Sequence, residues 1–195
     1  MTVTIYRGTH QIGGCVTEYR TKTTRIFVDL GSPLPGASDQ ETIRLSGVTE
    51  PGESCQGVFF THYHGDHMGE IHRILPNVPL WMGETAREVA QVLYLRLRRV
   101  PGSHAHRTLD ALERTHTFHP GKPVTVGDLK ITPIMEDHSA FDAYQFLIEG
   151  EGSRVLHTGD FRTHGPRGRG LKRLCDAMSA KWTGLSARAL PSAAQ

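Results

Sequence analysis

Four side chains able to ligate a metal fall within the short segment Thr61-His62-Tyr63-His64-Gly65-Asp66-His67. His62 and His64 are two positions apart, so in an extended chain both imidazoles point to the same side. Gly65 permits a tight reversal before Asp66 and His67. If a helix begins there, Asp66 sits near its positive end. The geometry suits two neighbouring metal ions, one held by the histidine pair and the other by Asp66 and His67. Imidazole and carboxylate donors favour zinc, with manganese or iron as alternatives. A closed structural zinc site fits less well, because such sites are mostly cysteine-rich.

The elements that must position this segment are short. Val3 to Tyr6, Val16 to Arg20 and Arg25 to Leu30 read as strands, punctuated by Gly13-Gly14 and Gly31. Gly57 to Thr61 is an apolar run of the kind that fills a buried strand, and it leads straight into the histidines. The spacing predicts a helix over Asp66 to Ile74, a strand over Val78 to Met82, and a long helix over Glu84 to Val100. The apolar face of that helix is Val89, Val92, Leu93 and Leu97. Later strands are predicted at Val124 to Val126, Leu129 to Met135, Tyr144 to Glu149 and Ser153 to His157. This order implies a layered α/β or α+β domain.

The histidine segment matches His-x-His-x-Asp-His, the hallmark of the metallo-β-lactamase superfamily, and the sequence resembles that family at further points in the same order. Asp29, ending RIFVD, resembles the early aspartate that supports the metal-binding loop by hydrogen bonding. His138, in EDHS, resembles the third histidine of the first metal site. Asp160, in HTGDF, resembles the carboxylate that bridges both metals. The phrases VDLG, FFTHYHGDHMG, DHSAFDAYQFLIEG and HTGDFR resemble the RNA-processing branch, which contains ribonuclease J and the β-CASP nucleases.

The resemblance implies an αββα sandwich with two divalent metals, zinc first and manganese second. His62, His64 and His138 would hold one metal, and Asp66, His67 and Asp160 the other. Asp66 and Asp29 are the carboxylates assigned to catalysis, Asp66 as a ligand that could also orient the nucleophile. The implied reaction is hydrolysis of an RNA phosphodiester by a metal-bridged hydroxide. Two alternatives stay open. One is a hydrolase of a small ester, thioester or lactam on the same fold, and the other is a non-catalytic metal-binding fragment. The family pattern also implies a further histidine near the C-terminus, and the RNA-processing branch a large inserted domain. No histidine follows His164 here. The chain therefore reads as a truncated member, with a sandwich incomplete at the C-terminus and a second metal site short of one ligand. Residues 1–172 form the domain and 173–195 an atypical tail. An unfinished sandwich is expected to expose apolar strand edges and associate.

Composition narrows the remaining classes. In 195 residues, 37% hydrophobic and 22% charged, the chain can bury a core and has no run long enough to cross a membrane. The formal net charge of +2 does not by itself call for nucleic acid. The N-terminus does not read as a signal peptide. Three cysteines, an odd number at wide spacing, argue for a reducing, cytoplasmic setting. Arg162, Arg167 and Arg169 follow closely on Asp160 without an intervening acid and are candidate contacts to RNA phosphates. Most other histidines read as bland. His104 and His106 fall in a predicted surface loop, Pro101 to Arg107, and His10, His116 and His119 in turns.

Overall fold

In the computed structural model, the residues described are 1–38, 41–165, 167, 168 and 170. The first sheet contains β1 (Thr2–Arg7), β2 (Val16–Arg20), β3 (Arg25–Val28), β4 (Gly57–Phe59), β5 (Leu80–Gly83) and β6 (Thr115–Phe118), in that spatial order. β1, β2 and β3 pair antiparallel, and β3 to β6 pair parallel. The second sheet is antiparallel, in the order β10 (Ser153–His157), β9 (Tyr144–Gly150), β8 (Leu129–Met135), β7 (Val124–Val126).

Strict alternation explains the layering. In β3, Phe27 joins one core while Ile26 and Val28 join the other. β4 divides its residues in the same way, with Val58 to one side and Phe59 to the other. A parallel strand buried on both faces needs apolar residues at every position, and these strands supply them. One core lies against the helices and includes Ala86, Ala90, Ala111 and Leu112. The second lies between the sheets, where Phe59 packs on Trp81 at 5.7 Å and meets Phe146 edge-on at 6.0 Å. Full burial of a side chain such as Phe59 contributes about 1.5–3 kcal/mol. Among the described residues the layers are therefore helix, sheet, sheet. The tail expected over residues 173–195 and Arg169 lie outside the described residues.

The helices differ in detail from the sequence expectation. The helix predicted over Asp66 to Ile74 is two pieces, α1 (Gly65–Met68) and a 3₁₀ turn at Ile71–Arg73. The break falls where Gly69 approaches Ser32 too closely for any side chain. The long helix, α2 (Glu84–Leu97), is shorter than predicted and buries Ala86 and Ala90. Val92 and Leu93 of the predicted apolar face are exposed. The predicted loop around His104 and His106 opens a helix, α3 (Ala105–Glu113), and His116 lies in β6 rather than in a turn. Arg114, just past α3, donates to the carbonyls of Ile74 and Val78, tying the helix end to the segment before β5.

The parallel strands all end at one edge of the first sheet. That edge carries Asp29 after β3, and Thr61 and His62 just beyond β4. Crevices at the carboxyl ends of parallel strands are the usual place for a site in such sheets. The second sheet reaches the same edge through the β8–β9 connection, which holds His138, and the segment after β10, which holds Asp160.

Candidate metal centre

Asp29 has φ 61°, an uncommon conformation for a residue other than glycine. It ends β3 and turns its carboxylate beneath the histidine segment. The carboxylate is fully buried and accepts from Thr61 N at 2.8 Å, from the Thr61 hydroxyl at 2.9 Å, and from His67 Nδ1 at 2.7 Å. With its Nδ1 proton on Asp29, His67 has its Nε2 lone pair free for a cation. Thr61 Oγ1 also lies 3.0 Å from His62 Nδ1, which leaves His62 Nε2 free in the same way. Gly31 permits this packing, since a Cβ there would lie 1.7 Å from the Asp66 carbonyl oxygen.

The structure brings His62, His64, Asp66, His67, His138 and Asp160 together. His64 Nδ1 lies 3.1 Å from His62 Nε2 and 3.3 Å from His138 Nε2. His67 Nε2 lies 3.4 Å from Asp160 Oδ1 and 3.8 Å from Asp66 Oδ2. Donors sharing one tetrahedral zinc stand about 3.3–3.6 Å apart, given bond lengths of about 2.0–2.2 Å. The observed spacings are close to that figure. Two sets converge: His62, His64 and His138 form one, and His62, His67 and Asp160 the other. Asp160 faces both, with Oδ1 toward His67 and Oδ2 4.0 Å from His138 Nε2. His67 Nε2 is buried and makes no close hydrogen bond, Asp160 Oδ1 standing 3.4 Å away, a spacing that suits two donors sharing a cation.

The electrostatics also suit a metal. Burial, reinforced by like charge on neighbouring histidines, pushes the His62 pKa far down. Burial likewise lowers the pKa values of His64 and His138, so these rings are neutral ligands at neutral pH. His67 goes the other way. Burial opposes its charge, but the Asp29 carboxylate and hydrogen bonding to Asp160 and Asp29 outweigh it and raise the pKa well above the ordinary value. A metal would replace that proton. The hydrogen bond to His67 holds the Asp160 carboxyl below its usual range.

The arginines are placed unequally. Arg162 is committed to Asp137, its Nε 3.1 Å from Oδ1. Arg167 is exposed, its guanidinium 5.8 Å from the centre of the Phe141 ring. His164 is exposed. A cleft of about 290 Å³ runs between β1, β2 and the end of β10, and reaches His67 and Asp160. No helix among the described residues is long and apolar enough to cross a membrane.

Several contributors escaped the sequence reading. Thr61 bonds Asp29 and two histidines, and its only signal is adjacency to His62. Asp142 takes φ 66° and accepts from Ala86 N at 2.9 Å and from the Tyr144 hydroxyl at 2.6 Å. It thereby fastens the loop carrying His138 to the first turn of α2. Glu136, just past the end of β8, is buried and accepts from Gln145 Nε2 at 2.8 Å, and burial pushes its carboxyl up to about 9.

The chain is similar to known proteins in sequence and in fold. Ribonuclease J of Helicobacter pylori is 23% identical over 171 residues, covering 82% of this chain and 23% of that protein. Ribonuclease J of Synechocystis sp. is 27% identical over 164 residues, covering 80% and 24%. The chain thus spans about a quarter of the length of the curated relatives it matches. A crystal structure of a protein of unknown function from Enterococcus faecalis superposes with a TM-score of 0.71 at 22% identity, over 90% of this chain and 47% of that one. A metallo-β-lactamase fold protein from Bacillus subtilis does so with a TM-score of 0.50 at 16% identity, over 81% and 62%. Residues 24–187 match the family described as the β-lactamase superfamily domain, and the chain, with its two sheets and clustered histidines, belongs to the metallo-β-lactamase superfamily.

Proposed function

We propose that this chain is the metal-binding part of a phosphodiesterase that hydrolyses RNA. The observation that carries this reading is the placement of Asp160, whose Oδ1 faces His67 and whose Oδ2 faces His138, members of two donor sets that have His62 in common. That placement suits a pair of ions sharing one carboxylate. His62, His64 and His138 would hold the first ion, and Asp66, His67 and Asp160 the second. Zinc suits the imidazole-rich set, and manganese is the alternative. When bound, such ions lower the pKa of coordinated water towards ~7 and neutralise charge on a phosphate.

The protein's own residues supply position and protonation. Asp29 fixes the ring plane and tautomer of His67, and Thr61 does the same for His62. Asp66 serves as a ligand first. Asp142 anchors the loop that presents His138. Two observations favour RNA over a small ester, thioester or lactam. Both curated relatives described above are ribonucleases by name, and Arg167 stands exposed beside an exposed aromatic ring near the centre. Arg162 and Arg169 are the further candidate phosphate contacts.

The test is metal analysis combined with hydrolysis of RNA, bis(p-nitrophenyl) phosphate, a thioester and a cephalosporin. The reading expects cleavage of RNA and the diester, loss on chelation, and loss in His64→Ala. Equal RNA cleavage by wild type and His64→Ala overturns the mechanism. Turnover of the thioester or cephalosporin alone selects the small-substrate hydrolase. Tight metal binding without any turnover selects the non-catalytic fragment.

A further inference from the structure

Phe141 sits in the same loop as His138, yet it belongs to neither core and is 58% exposed. The loop under it is firmly held. Its backbone N donates to the Tyr63 hydroxyl at 3.2 Å. The next residue, Asp142, is buried and tied to α2 and Tyr144. Tyr63 in turn meets the His64 ring edge-on at 5.6 Å. An unbroken path of contacts therefore runs from Phe141 to the centre, and the ring is displayed from a fixed backbone. A preorganised aromatic surface loses little entropy when something stacks on it.

The surroundings select the kind of molecule. Arg167 presents its guanidinium to the Phe141 ring. Two acids of the same loop already have donors: Asp142 accepts from two, and Asp137 accepts from Arg162 through Oδ1. A flat apolar surface beside a cation matches a nucleobase joined to a phosphate. We infer that Phe141 is a stacking platform for one base of a single-stranded RNA substrate, with Arg167 beside it for the adjoining phosphate. This rests on the RNA reading of the same centre and adds where the substrate is gripped. Phe141 is a positioning residue and takes no part in bond cleavage.

The experiment compares the metal-loaded full chain with Phe141→Ala, Phe141→Leu and Phe141→Trp on three substrates. These are a single-stranded oligoribonucleotide, the same strand carrying abasic sites, and bis(p-nitrophenyl) phosphate. Stacking of one base predicts that the Ala and Leu variants lose about 5- to 150-fold in kcat/KM on the intact strand, mainly through KM. Trp should retain wild-type values. The loss should vanish on the abasic strand, which keeps the phosphates and offers no base to stack. Wild-type RNA kinetics in Phe141→Ala overturn the inference alone, as do a Leu variant that matches Trp and an equal fall on the abasic strand. A wild type that hydrolyses the diester but no RNA overturns the substrate reading and the inference together. If no substrate turns over, fluorescence anisotropy with a labelled oligoribonucleotide decides. Weaker binding by Phe141→Ala supports the platform, and equal binding overturns it.

Discussion

Asp29 and His67, 38 positions apart in the chain, share a buried hydrogen bond of 2.7 Å between the carboxylate Oδ2 and the ring Nδ1. The bond sets which ring nitrogen carries the proton, and so which faces the candidate metal centre. A cation held by His67 Nε2 would therefore depend on Asp29, which lies behind the ring.

Asp29→Asn tests that link. Asparagine tolerates the positive φ of this position and retains an oxygen for Thr61 N. Its amide can donate to His67 Nδ1, which places the ring proton on Nε2. The variant should fold but bind the metal about 10- to 100-fold more weakly, as chelator competition would record. Asp29→Ala should also lower stability, since each buried group left without a partner costs about 1–3 kcal/mol. Unchanged metal affinity in Asp29→Asn would count against the role assigned to the hydrogen bond.

Asp142→Ala removes the acceptor for Ala86 N and the Tyr144 hydroxyl together. Losing a helix-capping acceptor costs about 0.5–2 kcal/mol, and an orphaned hydroxyl adds to it. Denaturant unfolding of the metal-free protein should show at least the capping loss, with a much smaller effect for Asp142→Asn. Because the same loop carries His138, metal affinity should fall as well.

His157 supplies a pH signature in the acid range. Its Nδ1 lies 3.0 Å from the Tyr19 hydroxyl, and burial lowers its pKa to about 4. The unfolded chain binds a proton near the ordinary value of about 6.5, whereas the folded chain does so only near 4. Stability from this group is therefore complete above about pH 6.5 and is lost as the pH falls towards 4. Urea titrations of metal-free His157→Gln should show a shallower acid loss than wild type. Parallel curves would rule out this assignment.

Glu136 has the opposite sign. Burial raises its carboxyl to about 9, so the folded protein keeps a proton that the unfolded chain releases near the ordinary value of about 4.5. In the metal-free state, stability should decline as the pH rises from about 4.5 towards 9. Glu136→Gln removes the titration and keeps an acceptor for Gln145. It should flatten the alkaline side of the profile and stabilise the protein near neutrality. A variant as pH-sensitive as the parent would show that the proton resides elsewhere.

The sequence was most legible where chemistry is local. Four ligand-type residues in one short segment, and strands such as Leu129–Met135, announce themselves by type and period. The features that failed to show depend on distant partners. Asp142 caps a helix that begins 58 positions earlier, and no short-range pattern marks such a bond. The buried face of α2 is chosen by the space left beside α3 and the first sheet. Small Ala86 and Ala90 fit there, while the larger Val92 and Leu93 stay outside. Pro101-Gly102 and the polar His104 and His106 hid α3, although Ala105, Thr108, Ala111 and Leu112 form its inward face. β6 is too short and too polar, as THTF, to declare itself without its parallel neighbour β5.

The candidate ligands come from both sheets: His62 just beyond β4, and His138 and Asp160 from segments that follow β8 and β10. Ions held by these residues would act as a clasp between two halves of the sandwich, added to the apolar contact and the few cross-sheet hydrogen bonds such as Tyr19 to His157. They would join positions almost a hundred residues apart and so restrict the unfolded chain as a cross-link does. Stripping the ions would then loosen how the two sheets face one another, as well as silence the centre.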